Sequence, residues 1–417
     1  MITPITLFSY MVDFLLKRKR LFISVVVILL VVVGISTLCR GGIGPPPRRT
    51  DLTVFMRAAE AIRDGENIYR VVNARGWYYV YAPLLAILLT PFAALPLLLN
   101  TTFWYALSVA ALCGSVGLSV RMAKDQPAGT RAAVMAGIFC LPAIIESMTR
   151  GQVGVMVLFL AVAILYLYLR GKYVWAGILL AFSIVLKVSP LAFLAVFFLA
   201  KREWKVCAAA ALGGIFFLFV YPSFAIGAER NWFLLTEWRS SLTHAVSGGS
   251  ENRLWSQLAT PIAWDNQTLY AVITRWFYPT ESALEAHGNA WVKTLVGVIA
   301  VMALSGLAFV CRRRRSEISE RRIMLEYSLF PALMLLVSPV SEIHHYTVLF
   351  MIFFAAFLYL EELSQRPLFR QTLAWCCFMA ALTQILGYIE PIALKGFPML
   401  GALALWCVSL ALVARVK

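Results

Sequence analysis

Repeated apolar runs of about 15 to 22 residues, broken by short basic segments, decide what this chain can fold into. An apolar run of that length, wound as a helix, matches the roughly 30 Å hydrocarbon core of a bilayer, and a helix satisfies its own backbone there. A transmembrane barrel would instead show short alternating segments. The chain is 61% hydrophobic, well above the about 45–50% apolar content of soluble domains. These features predict an all-α integral membrane protein, read as one polytopic domain over residues 1–417. The first run follows Lys17, Arg18, Lys19 and Arg20, like the start of a signal peptide. Its about 19 apolar residues lack a small-residue cleavage site, which predicts a retained span.

A net charge of +16 raises the question of nucleic acid, and the positions of the charges answer it. Basic residues cluster between the apolar runs: Lys17 to Arg20, Arg121 to Arg131, Arg170 and Lys172, Lys201 to Lys205, Arg312 to Arg322, Arg366 and Arg370, and Arg415 with Lys417. That is the positive-inside pattern of membrane proteins. No basic domain interleaved with aromatics is present, so nucleic-acid binding is excluded. Most of the eight cysteines lie inside apolar runs without metal-ligand spacing and read as core residues.

If every basic cluster shares one side, the 28 or so residues between Lys172 and Lys201 must go out and return. Fourteen helical residues reach about 21 Å and eleven about 16 Å, short of a full crossing. The turn Lys187-Val188-Ser189-Pro190 then falls at membrane depth, where an ammonium needs a water-filled cavity or buried partners. The competing arrangement is one long Pro-kinked helix with Lys187 snorkelling to the surface. The hairpin reading gives twelve helices, near 21–39, 98–120, 132–149, 153–169, 173–186, 190–200, 206–227, 290–311, 323–341, 346–360, 371–389 and 398–414. Both termini lie inside, and two long segments, about 40–97 and 228–289, lie outside. In the first, Leu52, Phe55, Met56, Ala59 and Ile62 recur at helical spacing opposite Arg57, Glu60, Arg63 and Asp64, with Gly65 placed to end the helix. This predicts an amphipathic helix on the membrane surface, followed by an interfacial aromatic belt at Trp77-Tyr78-Tyr79-Val80-Tyr81.

The ordered set Asp51, DGENIY (64–69), YVYAPLLAILLTPFAALP (79–96), RGQVGVMVLFL (150–160), LKVSP (186–190) before KREW (201–204), DNQTL (265–269) and SPVSEIHHYTVL (338–349) resembles glycosyltransferase family 87. That family belongs to the GT-C superfamily of polyprenyl-phosphate-sugar-dependent transferases. The resemblance spans most of residues 51 to 350, and Glu342-Ile343 stand where the family often has an aromatic. It implies a GT-C bundle that moves a sugar, mannose favoured, from a polyprenyl-phosphate donor to a lipid or glycan acceptor on the outer face of the cytoplasmic membrane. It further implies that the first outer loop's carboxylate, here Asp51, is the catalytic base. A carboxylate can accept the acceptor's hydroxyl proton at neutral pH, while the departing phosphate needs cations. No Asp-x-Asp motif or metal cluster is evident, so no metal or other cofactor is expected, and fixed cations should stabilise the leaving group. Candidates are Arg48, Arg49, Arg150, Lys187, His344 and His345. Gln152, Asn266, Gln267, Glu342 and Tyr81 are candidates for sugar or acceptor.

Each assignment has a structural competitor. Asp51 could simply cap the helix that begins at Leu52. Arg48 and Arg49 could touch lipid headgroups, the histidines could be packing residues, and Gln152, Asn266 and Gln267 could satisfy backbone groups. A polytopic transporter or flippase of a lipid-linked sugar would also carry many spans and a deep lysine, although it would tend to show paired broken helices.

Overall fold

The structure is a computed structural model that describes residues 4–43, 50–123, 125–247, 260–280, 282–284 and 289–415. Arg48 and Arg49 lie outside the described residues. Among those described, the fold is all helical, with a single isolated β-bridge between Val72 and Tyr78. Helix covers most of each of the twelve expected segments, with a break at Cys140 inside 132–149 and non-helical chain at 338–341. Among the described residues, six helices are long and apolar enough to cross a membrane: Lys19–Ile43, Leu97–Met122, Trp204–Ile226, Ala290–Val310, Ile343–Leu360 and Phe397–Arg415. The pair Gln126–Phe139 and Leu141–Thr149, bent by 61°, gives a seventh if counted as one span. The remaining segments are shorter, as in Gly154–Leu169 and Tyr173–Leu186, or carry charge, as in Glu320–Val337 with Arg322 and Glu326.

The hairpin reading holds, and the long kinked helix does not. The Tyr173–Leu186 helix stops at Lys187, which is extended (φ −155°, ψ 107°), and Ser189 is non-helical. The chain then returns through Phe193–Ala200, so that Tyr173 and Arg202 line the same cleft. Lys187 is thereby left at the hairpin tip with only 6% of its surface exposed.

Three basic segments meet at the other end of this hairpin. Arg315 donates to the Tyr168 carbonyl (2.7 Å) and to the Tyr173 hydroxyl (3.0 Å), and Lys201 Nζ donates to the Arg313 carbonyl (2.9 Å). Arg170 reaches the Arg121 carbonyl (3.4 Å), which adds a fourth. Lys201 also pairs with Glu326, which Arg322 holds at 2.8 Å, all three buried. The convergence follows from helix length, because Gly154–Leu169 runs about 24 Å from one end of the bundle to the other.

At the far end, the amphipathic helix forms at Asp51–Asp64 and ends on Gly65 in the left-handed region (φ 82°), as expected. Its apolar face is turned onto protein instead of lipid. Leu52, Phe55, Met56, Ala59 and Ile62 are all buried, and Val54, Ala58 and Ala61 with them. The aromatic segment after it is partly internal: Tyr79 is buried and donates to the Ala82 carbonyl, and the half-buried Tyr81 ring packs edge-on against Phe55 at 5.5 Å. The apolar face packs on the Pro83–Leu89 helix and the Thr90–Phe92 turn, with the Phe55 ring also 5.7 Å from Trp104, and polar contacts add the Ala228–Ser247 helix, for which the sequence carried no clear signal. Its Glu237 accepts from Asn67 (2.7 Å), its Trp238 donates to the Val80 carbonyl (3.0 Å), and its Arg230 reaches the Ala61 carbonyl (3.2 Å).

Candidate active site

The segment Arg150-Gly151-Gln152-Val153-Gly154 is the turn around which the polar site is assembled. The Leu141–Thr149 helix ends there in a left-handed Gly151 (φ 67°), with Gly151 N–H donating to Met148 O and Gln152 N–H to Ser147 O. A Cβ on Gly151 would come within 2.8 Å of Leu52 Cβ, and one on Gly154 within 2.8 Å of the His344 carbonyl. The two glycines thus let the start of the Asp51 helix and the Ile343–Val348 turn close on one short loop. The Asp51 N–H donates to the Arg150 carbonyl at 2.9 Å, which fixes the two chains in register.

Arg150 stands at the centre of a carboxylate cluster. Its Nε lies 3.1 Å from Asp51 Oδ2, and its Nη1 contacts Glu342 Oε2 and lies 3.5 Å from Glu146 Oε1. Asp51 is therefore not a helix cap: it is the first helical residue, Thr50 precedes it, and its carboxylate faces the guanidinium. Three carboxylates around one guanidinium leave excess negative charge in a buried space, so protonation becomes easier. Burial raises the Asp51 pKa above the ordinary carboxylate value, Arg150 opposes that, and Glu342 adds to it. Asp265 joins from the second outer segment; burial and then Glu342 raise its pKa to about 6.

Lys187 completes the basin from the hairpin tip. It is near enough to Asp51 and Glu342 for their charges to act on it, and its Nζ sits 5.7 Å from the Tyr81 ring centroid. Among the described residues that buried Nζ has no hydrogen-bond partner. Gln152 lies close enough to Asp51 and Tyr81 to influence both, and its Oε1 is unpartnered. His345 Nδ1 accepts from the Glu342 N–H at 3.0 Å and so steadies Glu342. His344 is buried with both ring nitrogens unpartnered, its Nδ1 3.6 Å from Glu342 Oε2.

Several expected ligands have other duties. Arg150, expected at phosphate, is engaged by carboxylates. Asn266 donates to the Pro339 carbonyl (3.1 Å) and accepts from the Ser341 N–H (3.3 Å), and Gln267 donates to the carbonyls of Trp264 (2.6 Å) and Ala393 (2.9 Å). The Asn266 side chain thus ties the 260–268 segment to the loop before Glu342, and the Gln267 side chain ties it to the end of the Glu390–Leu394 helix. Glu146 was not singled out from the sequence. Its spacing of four from Arg150 on one helix was the available signal.

The fold and site together define a polytopic helical membrane protein with a buried acid–base cluster at one end of its bundle. The model of glycosyltransferase family 87 matches residues 79–339, more than half of the chain, and the chain belongs to that family. It is a membrane glycosyltransferase. Arg150, Lys187 and Asp265 fall inside the matched residues; Asp51, Glu342, His344 and His345 fall outside them. No curated protein matches the sequence. Among solved structures, the crystal structure of ArnT from Cupriavidus metallidurans bound to undecaprenyl phosphate aligns at 12% identity over 93% of this chain and 76% of that one. The TM-score of that alignment is 0.36.

Proposed function

We propose that the enzyme transfers a sugar, mannose favoured, from a polyprenyl-phosphate donor to a lipid or glycan acceptor at the outer face of the cytoplasmic membrane, with Asp51 as general base. The observation that supports this most is a buried Asp51 held by Arg150 close to a Lys187 Nζ without a hydrogen-bond partner among the described residues. As the acceptor oxygen attacks the anomeric carbon, its proton passes to Asp51 and the bond from that carbon to the phosphate oxygen breaks. The attack is from the opposite side, so the configuration inverts. The leaving phosphate takes the electron pair and needs a cation that is not already neutralised.

Arg150 suits the role of orienting Asp51 and keeping it ionised. Lys187 and His344, which have open donor positions, suit the phosphate, and Gln152, Tyr81 and Glu342 suit the sugar or acceptor hydroxyls. A base whose pKa is raised toward the working pH is also the stronger proton acceptor. Purified enzyme in detergent, given labelled polyprenyl-phosphate mannose and a membrane-lipid extract as acceptor, should form a labelled product, and Lys187→Met should reduce it. Labelled lipid moved across a vesicle bilayer without a new glycosidic bond would support a flippase and remove the proposal.

A further inference from the structure

The basic end of the bundle, about 20 to 25 Å of helix away from Asp51, contains a second polar site. Here Tyr173, Lys201, Arg202, Trp204, Arg314 and Arg315 line a cleft of about 650 Å³. Two of the four cations are occupied by the fold. Lys201 is buried against Glu326, and Arg315 holds the carbonyl end of the Gly154–Leu169 helix. Two carboxylates also face the cleft. Glu203 accepts from the Tyr168 hydroxyl at 2.7 Å, and Glu320 stands at the start of the Glu320–Val337 helix. Arg202 and Arg314 are exposed and, among the described residues, have no ion-pair or hydrogen-bond partner for their side chains.

Arg202 is held there against local preference. The helix Phe193–Ala200 closes with Arg202 N–H donating to Leu199 O and Glu203 N–H to Phe198 O, a turn whose left-handed position normally takes glycine. The same turn ends Leu141–Thr149 on Gly151 and Gly154–Leu169 on Gly171. At the third turn an arginine occupies that position (φ 58°), and it is the sole non-glycine with positive φ among the described residues. An L side chain is strained in this conformation. The strain brings nothing to the fold that glycine would not supply, but it does put a free guanidinium on the cleft.

We propose that this cleft binds the phosphate of an anionic lipid headgroup, separately from the sugar-transfer site. Arg202 and Arg314 would grip the phosphate oxygens in the fork geometry that guanidinium groups allow. A lipid is favoured over a free anion because exposed apolar side chains accompany the cations. Trp204 in the cleft wall is 64% exposed, and Trp175 and Leu199, each two residues from the lining Tyr173 and Lys201, are 63% and 49% exposed. Exposed tryptophans at a basic helix end are the usual marks of the headgroup level, and the positive-inside rule assigns this end to the cytoplasmic leaflet, where anionic lipids give a negative surface.

The test is the thermal midpoint of the full-length protein in neutral detergent. Short-chain phosphatidylglycerol is the probe, phosphatidylcholine the net-neutral control, and inorganic phosphate the free anion. Wild type should gain a saturable upward shift with phosphatidylglycerol alone, through ligand linkage to the folded state. Arg202→Gly should keep or raise the lipid-free midpoint, because it relieves the strain. It should also weaken the lipid response about tenfold or more, as should Arg314→Ala, each removing a charge-assisted contact. Arg202→Ala, which keeps the strain but loses the guanidinium, should fall below Arg202→Gly in midpoint and match it in lost binding. An equal shift from phosphatidylcholine, or one undiminished in Arg202→Gly with Arg314→Ala, would overturn the site. A shift produced by inorganic phosphate as readily as by the lipid would overturn the lipid assignment.

Discussion

Replacing Arg150 with methionine keeps an unbranched apolar stem in place and removes the charge, which isolates what the guanidinium does for its three carboxylates. In the structure it touches Asp51, Glu342 and Glu146 with 17% of its side chain exposed, so solvent screens the pairs only weakly. Breaking a buried ion pair from one side costs about 3–5 kcal/mol, since the partner is left without compensation. Part of this is recovered when a carboxyl takes up a proton, at about 1.4 kcal/mol per unit of pKa shift. The sign follows from Asp51, whose folded pKa is already raised by burial and loses the one large opposing influence in the variant. A group with a raised folded pKa adds stability below its unfolded value and loses it as pH rises through the folded value. The deficit of Arg150→Met should therefore be smallest in acid and grow toward neutral pH, and the acid limb of turnover should move to higher pH. Denaturation in mixed micelles across that range measures the first, and a pH–rate profile the second. A deficit that is flat in pH, or larger in acid, would refute the reasoning.

Lys187→Met should lower turnover by about 10²-fold or more, as removal of a preorganised donor does elsewhere, without loss of folding. Addition of a chelator should leave wild-type transfer unchanged; a divalent-metal requirement would contradict the fixed-cation reading. Asp265→Asn should remove part of the stability lost as pH rises from the ordinary carboxylate value of 3.8 toward about 6, because the folded Asp265 binds its proton more tightly than the unfolded one. Hydrogen-exchange or denaturation profiles over that interval check it. Single cysteines at Glu60 and Arg202 should label from opposite sides of the membrane in intact cells, and labelling of both from one side would break the topology.

The bundle was legible because its causes are local. Periodic apolar residues and Gly65 located the 51–64 helix, and the shortage of length between Lys172 and Lys201 required a turn at Lys187. What lay against each surface was less legible. Leu52 and Phe55 read as lipid-facing because periodicity marks an apolar face without saying what covers it, which here is the Pro83–Phe92 segment. The site split in the same way. Asp51, Arg150, Lys187, Glu342 and the histidines were named from motif order and do converge. Only geometry shows that Arg150 serves carboxylates, or that Asn266 and Gln267 bind backbone, since partners so far apart in sequence leave no spacing to read.

The central claim, that Asp51 takes the acceptor's proton, is tested most directly by the turnover of Asp51→Asn. An asparagine keeps the size of the side chain and can still accept from Arg150 Nε through its carbonyl oxygen, so the local fold should persist, but it cannot take up a proton at neutral pH. With polyprenyl-phosphate mannose, or whichever donor the wild type proves to use, the variant should bind donor normally and lose about 10²–10⁴-fold in turnover, the usual contribution of general acid–base catalysis. A folded Asp51→Asn enzyme that transfers at close to the wild-type rate would contradict the account and pass the role of base to Glu342 or Asp265.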